Sequence, residues 1–182
     1  MTFTYDWTTD RVDKWLPYVQ HLVGRVNVNA LEIGSFEGRS TVWMLENILT
    51  DPTSRIVCVD PFLGGSVPDL PNEYLTAFVE NTKPYQKQVR IIQARSEDVN
   101  SSILLKFCPA GYDLIYIDAS HMPAATVREA FLAWYVASDG ALIIFDDYSG
   151  SLREAVDEWC KAFADWIETW DTGAQLIMRK IQ

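Results

Sequence analysis

The sequence predicts an α/β fold: a doubly wound, mostly parallel sheet with helices on both faces and an antiparallel C-terminal hairpin strand. Three observations carry this expectation. First, Tyr112 to Asp118 and Ala141 to Asp147 are near-continuous apolar runs ending in acid, the pattern of strands buried on both faces. Second, Val127, Ala130, Phe131 and Trp134 fall at i, i+3, i+4 and i+7 after Pro123, so a helix joins the two runs. A right-handed crossover then brings Asp118, His121, Asp146 and Asp147 to one carboxyl edge, where open α/β sheets bind ligands. Third, Trp166 to Trp170 and Gln175 to Arg179 flank Asp171-Thr172-Gly173, a turn signal between two closing antiparallel strands.

The remaining elements follow in chain order. Trp15, Leu16, Val19, Leu22 and Val23 form a helical stripe after the capping-type residues Thr8, Thr9 and Asp10, so the chain opens with an amphipathic helix. His21 within it reads as a surface or core-edge residue. Asn29 to Ile33 is a short strand, Gly34 to Gly38 a turn, and Ser40 to Leu49 a helix stopped by Asp51-Pro52. Arg55 to Asp60 is a second buried strand ending in acid. Pro61 to Pro71, with Gly64-Gly65, Pro68 and Pro71, is a loop that reads equally as a lid or as a passive connection. Glu73 to Asn81 reads as a helix, Val89 to Gln93 as a third strand, Ser101 to Phe107 as a short helix, and Leu152 to Phe163 as an amphipathic helix. Residues 1–182 are expected to form a single domain, with an N-terminal helical segment over 1–28 and an α/β core over 29–182.

Composition narrows the function. The formal net charge is −10 and no Lys/Arg cluster stands out, which argues against a surface that tracks nucleic acid. Cys58, Cys108 and Cys160 are odd in number and scattered, without C-x-x-C spacing, so neither a disulfide framework nor a zinc site is expected, and a reduced, cytoplasmic setting is. No apolar run is long enough to span a bilayer. Association into a homo-oligomer is left open.

Three carboxylates and an imidazole on one edge suit a hard cation with a base beside it. A single Asp at a strand end often caps the next turn. The adjacent pair Asp146-Asp147 is different, because two like charges there repel unless a cation or several donors offset them, and a cation is the simpler account. The turn Glu32-Ile33-Gly34-Ser35-Phe36-Glu37-Gly38-Arg39-Ser40 selects the other ligand. A dinucleotide loop wants G-x-G-x-x-G, but Phe36 stands at the second glycine. Glu32 and Glu37 would also repel a diphosphate by on the order of 1 kcal/mol or more. S-adenosylmethionine, with its ammonium and sulfonium, fits such acids better, and Asp60 at the end of the next strand is placed to accept from ribose hydroxyls.

These segments, with Val59-Asp60-Pro61-Phe62, Tyr112 to His121 and Ile143 to Tyr148, resemble the successive signatures of class I S-adenosylmethionine-dependent methyltransferases with a Rossmann-like sheet. The nearest resemblance is to the small-molecule, metal-dependent O-methyltransferases of macrocin and catechol type. It spans about Leu31 to Tyr148. It implies cofactor contacts at Glu32, Gly34, Ser35, Gly38, Ser40, Asp60 and Asp118, with adenine contacts at Ser96 and Glu97. It also implies a divalent cation such as Mg²⁺ on Asp118, Asp146 and Asp147. Catechol-type enzymes place a Lys base three positions after the first metal Asp, whereas the macrocin type places His, and here that residue is His121. The implied chemistry is methyl transfer to a hydroxyl of a small sugar, polyketide or phenolic acceptor, with Asp118 and His121 catalytic. Tyr5, Trp7 and Tyr148 are expected to line the acceptor pocket. Phe36 departs from the widespread first motif, and the long N-terminal region of the macrocin enzymes has no counterpart. The rival readings are a metal-independent methyltransferase, a non-catalytic S-adenosylmethionine-binding domain and, more distantly, a nicotinamide dehydrogenase.

Overall fold

The computed structural model describes residues 1–63 and 74–181. Its seven strands are β1 (Asn29–Ile33), β2 (Arg55–Val59), β3 (Val89–Ile92), β4 (Tyr112–Ile117), β5 (Ala137–Phe145), β6 (Ile167–Asp171) and β7 (Leu176–Lys180). They form one sheet in the order β3-β2-β1-β4-β5-β7-β6, parallel from β3 to β5, with β7 antiparallel to both its neighbours. The chain winds outward from β1 to β3 and then returns to β4. The strand order therefore reverses between β1 and β4, the position at which such sheets open a crevice at their carboxyl ends.

Alternate residues of each central strand feed two cores. Leu31, Ile33, Ile115, Ile117, Ile143 and Phe145 pack with Leu104 of α5 (Ser101–Phe107), Ala130 and Ala133 of α6 (Pro123–Val136), and Trp159 of α7 (Gly150–Ala162). Ala30, Ile56, Leu114, Tyr116, Leu142 and Ile144 face the other way. They pack with Trp15, Val19 and Leu22, with Met44 and Leu45 of α3 (Arg39–Asn47), and with Phe78 of α4 (Tyr74–Thr82). No helix of the described residues is long and apolar enough to cross a membrane.

Two expectations change. The opening helix is not continuous: α1 (Thr9–Val12) and α2 (Leu16–Val19) alternate with 3₁₀ turns at Asp13–Trp15 and Gln20–Leu22. Pro17 supplies the reason, since it has no N–H for the carbonyl four residues back. The buried stripe is accordingly Val12, Trp15, Val19 and Leu22, while Leu16 and Val23 are each 37% exposed. Strand β5 starts at Ala137, earlier than expected, because Ala137 pairs with Tyr112 before a register shift that leaves extra residues in β5 ahead of the Leu114–Leu142 pair. The C-terminal hairpin enters the sheet through its second strand, so β7 is interior and β6 is the edge. The Gly64 to Pro71 part of the expected loop lies outside the described residues.

Candidate active site

The loop after β1 is built for close backbone contact. Gly34 has φ +89°, and a Cβ there would stand 1.9 Å from the carbonyl oxygen of Asp118, so only glycine lets this loop lie against the segment after β4. Gly38, at φ +84°, precedes α3, and a Cβ on it would meet the Phe78 ring at 2.9 Å. Between the two glycines, the Ser35 and Phe36 amides donate to Asp60 Oδ2 at 2.7 and 2.9 Å. The Phe62 amide donates to Asp60 Oδ1 at 2.6 Å. Asp60 thus clamps the loops after β1 and β2 to each other while remaining partly exposed. Ser35 Oγ is buried without a hydrogen-bond partner, an unfilled polar position in the same loop.

Glu32 and Ser40 sit beneath that surface. The Glu32 side chain is fully buried, and its two oxygens accept from Ser40 Oγ, at 2.5 Å, and from Thr41 Oγ1. Burial pushes its carboxyl pKa up, against the opposing effect of the two hydroxyls. Glu32 therefore joins β1 to α3 and does not present negative charge to the edge. Glu37 is also turned to the chain, accepting from the Thr4 amide and hydroxyl, each at 2.6 Å.

The loops after β4 and β5 bring Asp118, His121, Asp146 and Asp147 together, as expected, but with a partner that the sequence reading omitted. Arg11 Nη1 lies 2.5 Å from Asp146 Oδ1 and 2.8 Å from Asp147 Oδ1. Tyr116 donates its phenol hydrogen to Asp146 Oδ2 at 2.6 Å, and the Asp147 amide donates to Asp146 Oδ1 at 2.8 Å. His121 Nδ1 pairs with Asp147 Oδ2 at 3.0 Å. Every oxygen of the acidic pair therefore already faces a donor of the chain. The cation expected between these two residues is a guanidinium. Asp118, whose Oδ2 is 3.1 Å from the Tyr116 hydroxyl, is the less committed carboxylate. Burial, then Asp146 and Asp147, hold its carboxyl well above the usual range. Asp118, His121 and Asp147 each offer a ligand atom within 4.8 Å of the others.

Backbone strain marks the same edge. Phe36, Phe62, His121 and Asp147 are non-glycine residues with φ between +47° and +54°, one in each loop after β1, β2, β4 and β5. Such conformations cost on the order of 1 kcal/mol each and gather where a loop must present a group in one direction.

Comparison with known proteins places the chain in a family. Residues 31–148 match the family described as a methyltransferase domain. The chain belongs to it. Among curated proteins it is 26% identical over 119 residues to uncharacterized protein R132 of Acanthamoeba polyphaga mimivirus. The match takes in 65% of this chain and 50% of that protein, so the chain spans about half the length of the curated relative it matches. Among solved structures, the O-methyltransferase from Bacillus cereus in complex with SAH superposes with a TM-score of 0.70 at 16% identity, over 99% of this chain and 84% of that one. The O-methyltransferase TomG from Streptomyces achromogenes, in complex with SAM, gives 0.67 at 15%, over 92% and 77%. An rRNA methylase from Streptococcus thermophilus gives 0.65 at 8%, over 100% of both chains. At these identities the superpositions establish the fold.

The outer parts of this methyltransferase domain are set by contacts far apart in sequence. Ser96, in the turn after β3, donates to Glu129 Oε1 of α6 at 2.6 Å. Glu129 is buried, its Oε2 is without a partner, and burial raises its carboxyl pKa. Glu97 enters the same contact only through its carbonyl, which accepts from Arg128. Tyr5 and Trp7 stack at 4.9 Å and lean on Phe36, and Phe36 meets Tyr74 at 4.4 Å. Tyr148 does not join them: it is buried, with its hydroxyl on Asp157 and Arg153 over its ring. Arg11 and Glu129 are the site residues that sequence reasoning missed. Arg11 carried one usable signal, an uncompensated acidic pair that needed a positive partner somewhere in the chain.

Proposed function

We propose that the chain transfers a methyl group from S-adenosylmethionine to a hydroxyl of a small molecule, with His121 as general base. The observation that carries this reading is the contact of Gly34 with the Asp118 backbone, which sets the glycine loop directly beside the loop bearing the imidazole. When bound, S-adenosylmethionine supplies a methyl group made electrophilic by its sulfonium. The residues suit that ligand: Asp60, where the loops after β1 and β2 meet, has a partly exposed carboxylate for ribose hydroxyls. Gly34 and Gly38 are needed for the shape of the loop, Glu32 and Ser40 for its attachment to α3. Ser96, backed by Glu129, and Glu97 flank the adenine side. The SAM and SAH held by the two O-methyltransferases of similar fold support the assignment.

Asp147 binds His121 through Nδ1 and so leaves Nε2 to take the acceptor proton. An imidazole held this way is a base oriented by a carboxylate. His121 is 40% exposed at its side chain, so an acceptor hydroxyl can reach it from solvent. The stacked Tyr5 and Trp7 offer an apolar face to a ring-bearing acceptor, sugar, polyketide or phenol. The Mg²⁺ set expected from the sequence does not fit as it stands, because Arg11 occupies Asp146 and Asp147; no step is routed through a metal. The metal-independent reading is favoured for that reason. The net charge of −10 speaks against an RNA acceptor, although an rRNA methylase shares the fold. The three cysteines are unpaired, which suits a cytoplasmic setting.

Calorimetry with S-adenosylhomocysteine, and NAD as comparator, tests the cofactor assignment. Binding of NAD without any affinity for the methyltransferase ligands would overturn it.

A further inference from the structure

We infer that Arg11 is the resident cation of the acidic edge, filling with a guanidinium the place between Asp146 and Asp147 that a divalent metal would otherwise take. The inference rests on reading this edge as the acceptor half of the site. A hard cation such as Mg²⁺ or Mn²⁺ needs several oxygens at about 2.1 Å in near-octahedral array. Asp146 Oδ1 faces Arg11 Nη1 and the Asp147 amide, and Asp146 Oδ2 faces the Tyr116 hydroxyl. Asp147 Oδ1 faces the same Nη1, and Asp147 Oδ2 faces His121. A metal binding the pair would have to compete with the guanidinium for these oxygens, against the repulsion of its positive charge.

The segment that delivers Arg11 is fastened at several points. The Thr2 amide donates to Asn81 Oδ1 at 2.8 Å, and Thr4 is held by Glu37. Asp6 pairs with Arg39 at 2.7 Å, and Trp15 Nε1 donates to Gln175 Oε1 at 2.8 Å. Val12 and Trp15, before and at the end of the 3₁₀ turn that follows α1, are 1% and 0% exposed. The guanidinium is thus anchored on both sides by contacts that do not involve the acids. It stays in place as a structural part of the edge, and Arg11 acts as a positioning residue for Asp147 and, through it, for His121.

The test is a titration with Mn²⁺ or Mg²⁺ alone, read by calorimetry and by the electron paramagnetic resonance of bound Mn²⁺, with no turnover required. The wild-type chain should show no site that depends on Asp146. Arg11→Ala should open one, with Mn²⁺ bound at least about tenfold tighter than by the wild type. Adding Asp146→Asn to Arg11→Ala should abolish it, and Arg11→Lys, which restores a positive charge, should suppress it. Mn²⁺ binding by the wild type that is lost in Asp146→Asn would overturn the inference, and this arm holds even if Arg11→Ala does not fold. A folded Arg11→Ala chain that binds no Mn²⁺ would overturn it as well. S-adenosylhomocysteine titrated into the same samples reports separately on the cofactor reading, so failure of either is told from failure of the other.

Discussion

The loops after β1 and β2 are fixed by backbone geometry, while those after β4 and β5 are fixed by charge. In the first pair, three amides within residues 35–62 converge on Asp60, and Gly34 and Gly38 leave room for the Asp118 backbone and the Phe78 ring. In the second pair, Asp146 and Asp147 are balanced by Arg11, 135 and 136 residues away in the chain. The difference teaches that a half built from local backbone contacts is specified by a short motif. A half built from ion pairs depends on a partner that no local pattern names.

Substitutions can break this contrast. The largest effect is expected at the charged half: His121→Ala should lower kcat by on the order of 10²–10⁴ in a methyl-transfer assay and leave S-adenosylhomocysteine affinity near the wild-type value. A variant within a few-fold of wild type would make His121 a loop residue. In the backbone-held half, Gly34→Ala forces a methyl into the Asp118 carbonyl and should cost roughly 3 kcal/mol or more, measured by urea unfolding. Asp60→Ala releases three amides as well as the ribose acceptor. It should weaken cofactor binding by about 1–3 kcal/mol and also lower the unfolding midpoint, where a residue that only met the ligand would leave stability unchanged.

The smallest expected effect sharpens the boundary between the halves. Burial raises the Glu32 carboxyl pKa above its unfolded value, so the native chain retains a proton that the unfolded chain releases. The unfolded state then binds fewer protons. The Glu32 contribution is fully present below the unfolded carboxyl range and is lost as pH rises toward the raised native value. Glu32→Gln should flatten that decline, as read from denaturation across pH.

The same contrast explains what the sequence revealed. Strands β1, β2, β4 and most of β5 were legible because apolar runs buried on both faces leave a plain signature, and Asp171-Thr172-Gly173 marked the hairpin. The meeting of Asp118, His121, Asp146 and Asp147 was legible because topology alone puts consecutive strand ends on one edge. The segment of alternating α and 3₁₀ turns was not, since the apolar spacing looked helical and Pro17 acted only locally. Glu32 was read as facing the ligand because its place in the motif does not reveal which face of β1 it occupies. Arg11 was missed because a guanidinium on an N-terminal turn looks like any solvated charge until the sheet is assembled.

Arg11 and Trp15 meet partners 135 and 160 residues downstream, at Asp146 and Gln175. Contacts of such sequence separation form late, because the intervening chain must be ordered before they can close. During synthesis the Arg11 and Trp15 side chains therefore wait for these partners until the strand that follows Gln175 has entered between β5 and β6. Until then the acidic pair stands without its guanidinium, and the edge that carries His121 is unfinished. Completion of this methyltransferase domain and completion of its acidic edge are, on this topology, the same late event.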